Sequence, residues 1–383
     1  MTNHVTLRRT ALACLLPLLL CACATFTPEA ARPLTAQPNA QWFKLPTEPY
    51  KGKQDDIVFT DALTGFYGNG AGKIFKTIDG GHSWTMVLNK PGTFIRALGF
   101  VDSKLGFAGN IGTEYFPGVS DATPLYRTVD GGASWAPVTG IAGPQVKGLC
   151  AIDILKVAFI NAGNLDHRAV VHAAGRVGGP AHLLRSLDGG ASWTSIDMAK
   201  HLAAITDVKF FDEMNGIVIG SDDAAIGRSH AVVVATNDGG QTWKRTYTSA
   251  RPFEMAWKVS FPSRTVGYVT VQNYNPDKAV TQRVIAKSSD GGTTWQELPL
   301  ADDFAVRQFG LAFADEMTGW VGTTTTGFAT TDGGQSWQRV NLGRAVNKIR
   351  IVPDGQHYVG YAIGVDVYKF ASAPANPLPA APK

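Results

Sequence analysis

Short runs of alternating apolar and polar residues recur along the chain, each broken by a tight turn. They read IVFTDALTGFYG (57–68), LGFVDSKLGFAG (98–109), LCAIDILKVAFI (149–160), VKFFDEMNGIVIG (208–220), VSFPSRTVGYVT (259–270) and LAFADEMTGWVG (311–322). Alternation with period two about an Asp- or Gly-bearing turn predicts a β-hairpin. After each hairpin come a loop of variable length, a third apolar run and one shared motif. That motif is KTIDGGHSW (76–84), RTVDGGASW (127–135), RSLDGGASW (185–193), ATNDGGQTW (235–243), KSSDGGTTW (287–295) and ATTDGGQSW (329–337). Each unit therefore runs strand a, turn, strand b, loop, strand c, motif, strand d, and no stretch has a sustained helical period.

The motif, [ST]-x-D-G-G-x-[ST]-W, has the chemistry of a turn. Its carboxylate, on Asp79, Asp130, Asp188, Asp238, Asp290 or Asp332, can accept backbone N–H groups a few residues on, and the two glycines supply positive φ. The hydroxyl four residues after the Asp can bond within the same loop. The tryptophan that follows, Trp84, Trp135, Trp193, Trp243, Trp295 or Trp337, opens strand d and is expected to wedge between neighbouring sheets. Exposed Asp-Gly loops can hold Ca²⁺, but six copies spread over a repeat point to scaffold, because function rests on a few unique residues. The six Asp residues are 51, 58, 50, 52 and 42 positions apart. That period fits a four-stranded propeller blade.

A seventh hairpin, IRIVPDGQHYVG (349–360), is followed by VDVYKF (365–370) and no motif. Its missing fourth strand is supplied at the other terminus, where Gln41-Trp42-Phe43-Lys44-Leu45 matches Ser83-Trp84-Thr85-Met86-Val87 in register. The expectation is an all-β fold, a seven-bladed β-propeller over residues 41–370 closed by its N-terminal strand, which leaves no open sheet edge.

Composition agrees: glycine is 42 of 383 residues, charged residues are 17 %, and twelve of the glycines are the motif pairs. The first residues are a processing signal. Arg8 and Arg9 precede an apolar run, Thr10–Leu20, too short to span a membrane, and the run ends in Leu20-Cys21-Ala22-Cys23. This resembles a bacterial lipobox, with Cys21 where a small residue is usual, and implies cleavage after residue 22 and lipidation of Cys23. Ala24 after the cysteine implies an outer-membrane lipoprotein facing the periplasm, or a secreted protein if the lipobox is not used. Residues 23–40 read as an Ala/Pro-rich tether and 371–383 as a disordered tail. Without the leader only Cys150 remains as a thiol, so no disulfide forms within the chain. The formal charge falls from +4 to +2 on removal of Arg8 and Arg9, which does not suggest nucleic-acid binding. Membrane contact is expected through the anchor only, and a monomer is expected.

The six boxes and the F-x-D-x-x-x-G-[FYW] hairpins resemble the Asp-box propellers, also called bacterial neuraminidase repeats. More closely they resemble the photosystem II stability and assembly factor family and its bacterial relatives. That resemblance implies a non-catalytic scaffold or assembly factor facing the lumen or periplasm. Asp boxes also recur in sialidases, xyloglucanases and sorting receptors, so the resemblance is specific for fold rather than for activity.

Strand polarity places the a–b turns and boxes on one face and the b–c loops on the other. The b–c loops of blades 2 to 5 carry insertions, Gly112–Pro124, Asn164–His182, Ser221–Ala231 and Asn273–Arg283, so that face is where a variable binding surface is expected. Aligned on the a–b turn, Asp55, Arg96, Lys147, Thr206, Trp257, Phe309 and Lys348 ring the channel mouth. Arg96, Lys147, Trp257 and Lys348 form a cationic, partly aromatic rim suited to an acidic group on a protein or glycan partner. Arg168, Arg176, Arg228 and Tyr274 are added by the loops. His167, His172 and His182 have no zinc-site spacing, and no dinucleotide or phosphate-loop fingerprint occurs, so neither metal nor cofactor is expected. The alternative is an exo-acting glycoside hydrolase of sialidase-like propeller type, with Asp55, Asp207 and Glu254 as the available acids. It lacks an Arg-Ile-Pro signature and a visible pair of carboxylates, so no catalytic residue is assigned.

Overall fold

The computed structural model describes residues 33–162 and 164–372. The leader, the lipobox cysteine and the tail from 373 lie outside the described residues. Among the described residues there is no helix, and the strands form seven antiparallel-built sheets, six of four strands and one of five. The innermost strands are Gln54–Phe59, Ile95–Phe100, Ala151–Asn161, Ala204–Phe210, Glu254–Ser260, Gln308–Phe313 and Lys348–Asp354. Each touches the next in turn, and the seventh touches the first, which is a β-propeller.

Five of the hairpins place a Phe at the end of the inner strand and a Gly six residues later, as in Phe59/Gly65 and Phe100/Gly106. A Cβ on Gly65 or Gly106 would lie 2.5 or 2.4 Å from the ring of its Phe, so the glycine is what lets the ring lie flat across the strand. The ring is then sandwiched. Phe100 stacks on Phe66 of the preceding sheet at 3.8 Å and meets Trp135 of its own box edge-on at 6.0 Å. Phe59 does the same with Tyr361 and Trp84, and Phe313 with Tyr268 and Trp337. The box tryptophans therefore do wedge between neighbouring sheets, and the apolar clusters of the molecule are inter-sheet clusters. Polar caps add to them. Asp56 accepts the Leu98 N–H at 2.8 Å, Asp153 the Phe210 N–H at 2.8 Å, and Asp207 the Val259 N–H at 3.2 Å, each across a sheet boundary.

All six boxes share one hydrogen-bond pattern. In the second, the Thr128 hydroxyl donates to Asp130 Oδ1 at 2.8 Å and accepts the Gly132 N–H at 2.8 Å. The Ser134 N–H and hydroxyl donate to the two carboxylate oxygens at 2.9 and 2.5 Å. Gly131 and Gly132 have φ of 70° and 89°. The carboxylate is consumed inside its own turn, and the first Gly N–H docks on the a–b turn, as Gly131 N–H does on Lys104 O at 2.9 Å. Boxes and a–b turns thus share one face, the box face, and b–c loops lie on the opposite loop face.

Ala40–Lys44 pairs antiparallel with Val367–Ser372, so the N-terminal strand completes the seventh sheet. The chain is ordered earlier than residue 40. Thr35–Ala36 adds a parallel fifth strand beside His357–Tyr358, and Gln37 Nε2 donates to Asp354 Oδ2 at 2.9 Å, so this segment fills the place of the missing seventh box. The tether expected through residue 40 is therefore drawn into the fold from Leu34 onward.

The third sheet departs from the expected register. Its inner strand has Ile154 and Ile160 where the others have Phe and Gly, so no turn forms at 153–156. Pairing continues to Asn161↔Asn164, making an eleven- and a twelve-residue strand, Ala151–Asn161 and Asn164–Gly175. The expected b–c insertion Asn164–His182 shrinks to the residues between Gly175 and His182, and the rest becomes a hairpin projecting from the box face.

Candidate functional site

The positions expected to ring the channel do converge on the axis, and a backbone irregularity puts them there. Inner strands lose one residue of pairing at Asp55, Arg96 and Thr206, and two at Trp257-Lys258 and Phe309-Gly310. Such bulges turn a side chain out of the ladder. In the third sheet Ile154 takes the place of the Phe, which shifts the axial position, four residues earlier, by three from Lys147 to Cys150, buried beside Trp257. Lys147 lies in the loop before that strand, exposed and paired with Glu114 at 2.9 Å.

These residues form a packed plug rather than an open rim. Arg96 Nη1 reaches Asp55 Oδ1 at 2.6 Å, both almost wholly buried, and Lys53 approaches the same oxygen at 2.8 Å. The Arg96 guanidinium lies 5.2 Å from the Trp257 ring, from the second sheet across to the fifth. Trp257 Nε1 donates to Asn347 Oδ1 at 3.1 Å, and Asn347 Nδ2 donates to Asp55 O at 2.8 Å, closing a loop of contacts over four sheets. Beneath it Lys348 pairs with Asp56 at 2.8 Å. Burial opposes the Arg96 charge, yet the Asp55 carboxylate holds its pKa above the ordinary value. Burial also pulls Lys348 down, and pulls Lys258, 3.8 Å from Asp207, down to about 7. Of the four expected rim residues, Arg96, Trp257 and Lys348 are thus buried and partnered.

The loop residues separate in the same way. Arg176 is buried and donates to Gly179 O, Ile111 O and Thr113 O at 2.9, 3.1 and 2.6 Å, pinning two b–c loops together. Arg228 is exposed and bidentate to Asp223 of its own loop. Arg168 is on the other face: it lies on the projecting hairpin and reaches Leu187 O and Glu213 at 2.9 and 2.5 Å. His172 lies on strand b and stacks on Phe210 at 3.6 Å, where burial lowers its pKa to about 3. Among the described residues no three His, Cys, Asp or Glu side chains are grouped to hold a metal ion.

Above the plug is a layer that sequence reasoning largely missed. Phe94 stacks on Phe116 at 4.7 Å, and Phe116 meets Tyr115 edge-on at 4.7 Å. Tyr115 and Phe116 are exposed, while Phe94 and Tyr274 pack on the apolar cap of the plug with Met255 and Phe309. Arg307 lies over Tyr274, 4.3 Å from the ring centroid, and its guanidinium makes no side-chain hydrogen bond among the described residues. A cavity of about 160 Å³ beside it is lined by Asn273, Asn275, Arg283, Phe304 and Thr324. Its own carbonyl partners occupy Arg283, leaving Arg307 as the available cation. Lys53, Phe94, Met255 and Arg307 each stand two residues before a bulged position, and that spacing was the signal available for finding them. A larger cavity, about 550 Å³, lies on the box face between the fourth and fifth sheets, lined by Phe211, Trp243, Lys244, Arg264 and Asp290. It is built from the repeated turn residues, so its walls are those of the scaffold.

No family model matches the chain. Over 196 residues the chain is 28 % identical to a xyloglucanase of Paenibacillus sp., an alignment covering 49 % of this chain and 17 % of that enzyme. The chain thus spans a small part of that relative's length. Among solved structures, YCF48 bound to D1 peptide matches 89 % of this chain and 100 % of its own, with TM-score 0.60 and 17 % identity. The GH74 xyloglucanase of Xanthomonas campestris matches 89 % of this chain and 55 % of its own, with TM-score 0.57 and 15 % identity. At these identities the likeness is one of fold, a β-propeller.

Proposed function

We propose that the chain is a seven-bladed propeller carried in the bacterial envelope by a lipid on Cys23, and that its loop face binds another protein without catalysis. The observation carrying this reading is the contrast at the axis. Every charged residue of the plug is paired, whereas the layer above offers the exposed rings of Tyr115 and Phe116 and, over Tyr274 at the edge of the same apolar cluster, a half-buried Arg307 with no side-chain partner among the described residues. Aromatic area with a guanidinium at its edge is the composition of a protein-binding hot spot, and the fork of Arg307 suits a carboxylate. YCF48, a propeller of the same fold, is described with a peptide bound. That supports a peptide segment over a small molecule here. The resemblance to assembly factors points the same way.

Glycoside hydrolysis is the competing reading, favoured by the partial match to a xyloglucanase and by Glu254. That carboxyl is buried, which raises its pKa, and its Oε2 has no partner, as a general acid would need. Against it, Glu254 is held by Arg251 at 2.7 Å, Asp55 by Arg96 and Lys53, and Asp207 lies beside Lys258. Neither Asp55 nor Asp207 is left to act with it. Incubation with xyloglucan oligosaccharides and a panel of aryl glycosides is expected to give no turnover. Turnover abolished by Glu254→Gln would replace the binding reading with the hydrolase.

A further inference from the structure

The projecting hairpin of the third sheet has no structural work to do at its tip. The box of that sheet docks on Ala169, whose strand partner is Lys156, so pairing from there to Asn161↔Asn164 stands clear of the box face by roughly 17 Å at 3.3 Å per residue. The tip carries Phe159, Ile160 and Leu165, exposed by 38, 70 and 66 %. Leu187 and Met214, on the turns that Arg168 of the hairpin reaches at its base, are exposed too. Apolar side chains that stand free in water at a loop tip mark an interaction site.

Where the chain enters the fold identifies the occupant. The Thr35 N–H donates to Gln356 O at 3.2 Å in the a–b turn of the seventh sheet, so the described chain begins at the box face. Ten residues lie between Cys23 and Leu34, eleven Cα–Cα steps that reach at most about 40 Å. A lipid on Cys23 would keep the bilayer within that reach of the point where the chain enters the box face. The boxes are acidic, but a tip of this length keeps them beyond the Debye length of about 8 Å from anionic headgroups.

We propose that Phe159, Ile160 and Leu165 form a membrane-dipping tip that rests in the lipid interface, turning the loop face away from the bilayer. The proposal deepens the anchor reading and rests on it. A second, weak membrane contact beside an acyl anchor fixes orientation rather than affinity.

The test is in-cell photocrosslinking of the full chain with Ile160→p-benzoylphenylalanine, and with Phe116→p-benzoylphenylalanine as the loop-face control. The expected result is a peptide spanning position 160 with the added mass of one phospholipid, and no lipid on the peptide spanning position 116. A chain in the membrane fraction whose position 160 takes no lipid, or crosslinks to protein, overturns the tip and leaves the anchor standing. A chain in the soluble fraction overturns the anchor. The purified chain is then irradiated with phosphatidylethanolamine–phosphatidylglycerol vesicles, where absence of the lipid adduct overturns the tip as well.

Discussion

The Arg96 guanidinium and the Asp55 carboxylate meet 2.6 Å apart with almost no access to water, under the ring of Trp257. Removing one member strands the other, and such losses cost about 3–5 kcal/mol. Arg96→Met is therefore expected to lower the midpoint of chemical denaturation sharply. A variant as stable as the parent would mean that the pair is open to solvent and free to bind. The boxes make a second residue-scale prediction. Hydroxyl and backbone hydrogen bonds from Ser134, Thr242 and Ser336 lower Asp130, Asp238 and Asp332 from 3.8 to about 2. A folded pKa below the unfolded one gives stability that is present above pH 4 and lost as pH falls toward 2. Thermal midpoints should hold steady from pH 7 to 5 with respect to these groups and drop between pH 4 and 2. A midpoint unchanged down to pH 2 would contradict the turn chemistry.

At the scale of elements, the N-terminal strand closes the ring through Leu45, fully buried between the first and seventh sheets, and through five paired residues. Leu45→Ala is expected to cost about 2–5 kcal/mol. Amide exchange should accelerate first in Val367–Ser372, and uniform acceleration over all sheets would argue against a weak closure. Strand order, box turns and closure were legible because each rests on a local code: alternation, Gly-Gly at positive φ, and Phe opposite Gly. The third sheet was not, because Asp153 looks like a turn residue and is an inter-sheet cap instead. That slip put Lys147 in the place of Cys150, and Arg168 on the wrong face. Nor could the plug be read from the chain. That Arg96 finds Asp55, and Trp257 finds Asn347, depends on how sheets distant in sequence meet at the axis.

For the whole molecule, the two faces divide the labour: box carboxylates are consumed by their turns, while Arg307, without a side-chain hydrogen bond among the described residues, and the exposed rings of the plug's cap lie opposite. If the box face looks toward lipid, Cys23→Ser should move the chain from the membrane to the soluble fraction. Unchanged fractionation would reject lipidation as the main anchor. The central claim is that the loop face, through its layer above the plug, holds a protein. Arg96 and Trp257 are unsuited to test it, since changing them disturbs the fold. The direct measurement is affinity recovery of envelope proteins on the tagged full chain, comparing the parent with Arg307→Ala/Tyr115→Ala/Phe116→Ala on the loop face and Ile78→Ser/Met317→Ser on the box face. The account predicts a partner recovered with the parent and the box-face variant and lost with the loop-face variant, at equal thermal midpoints. Equal recovery with all three would contradict it.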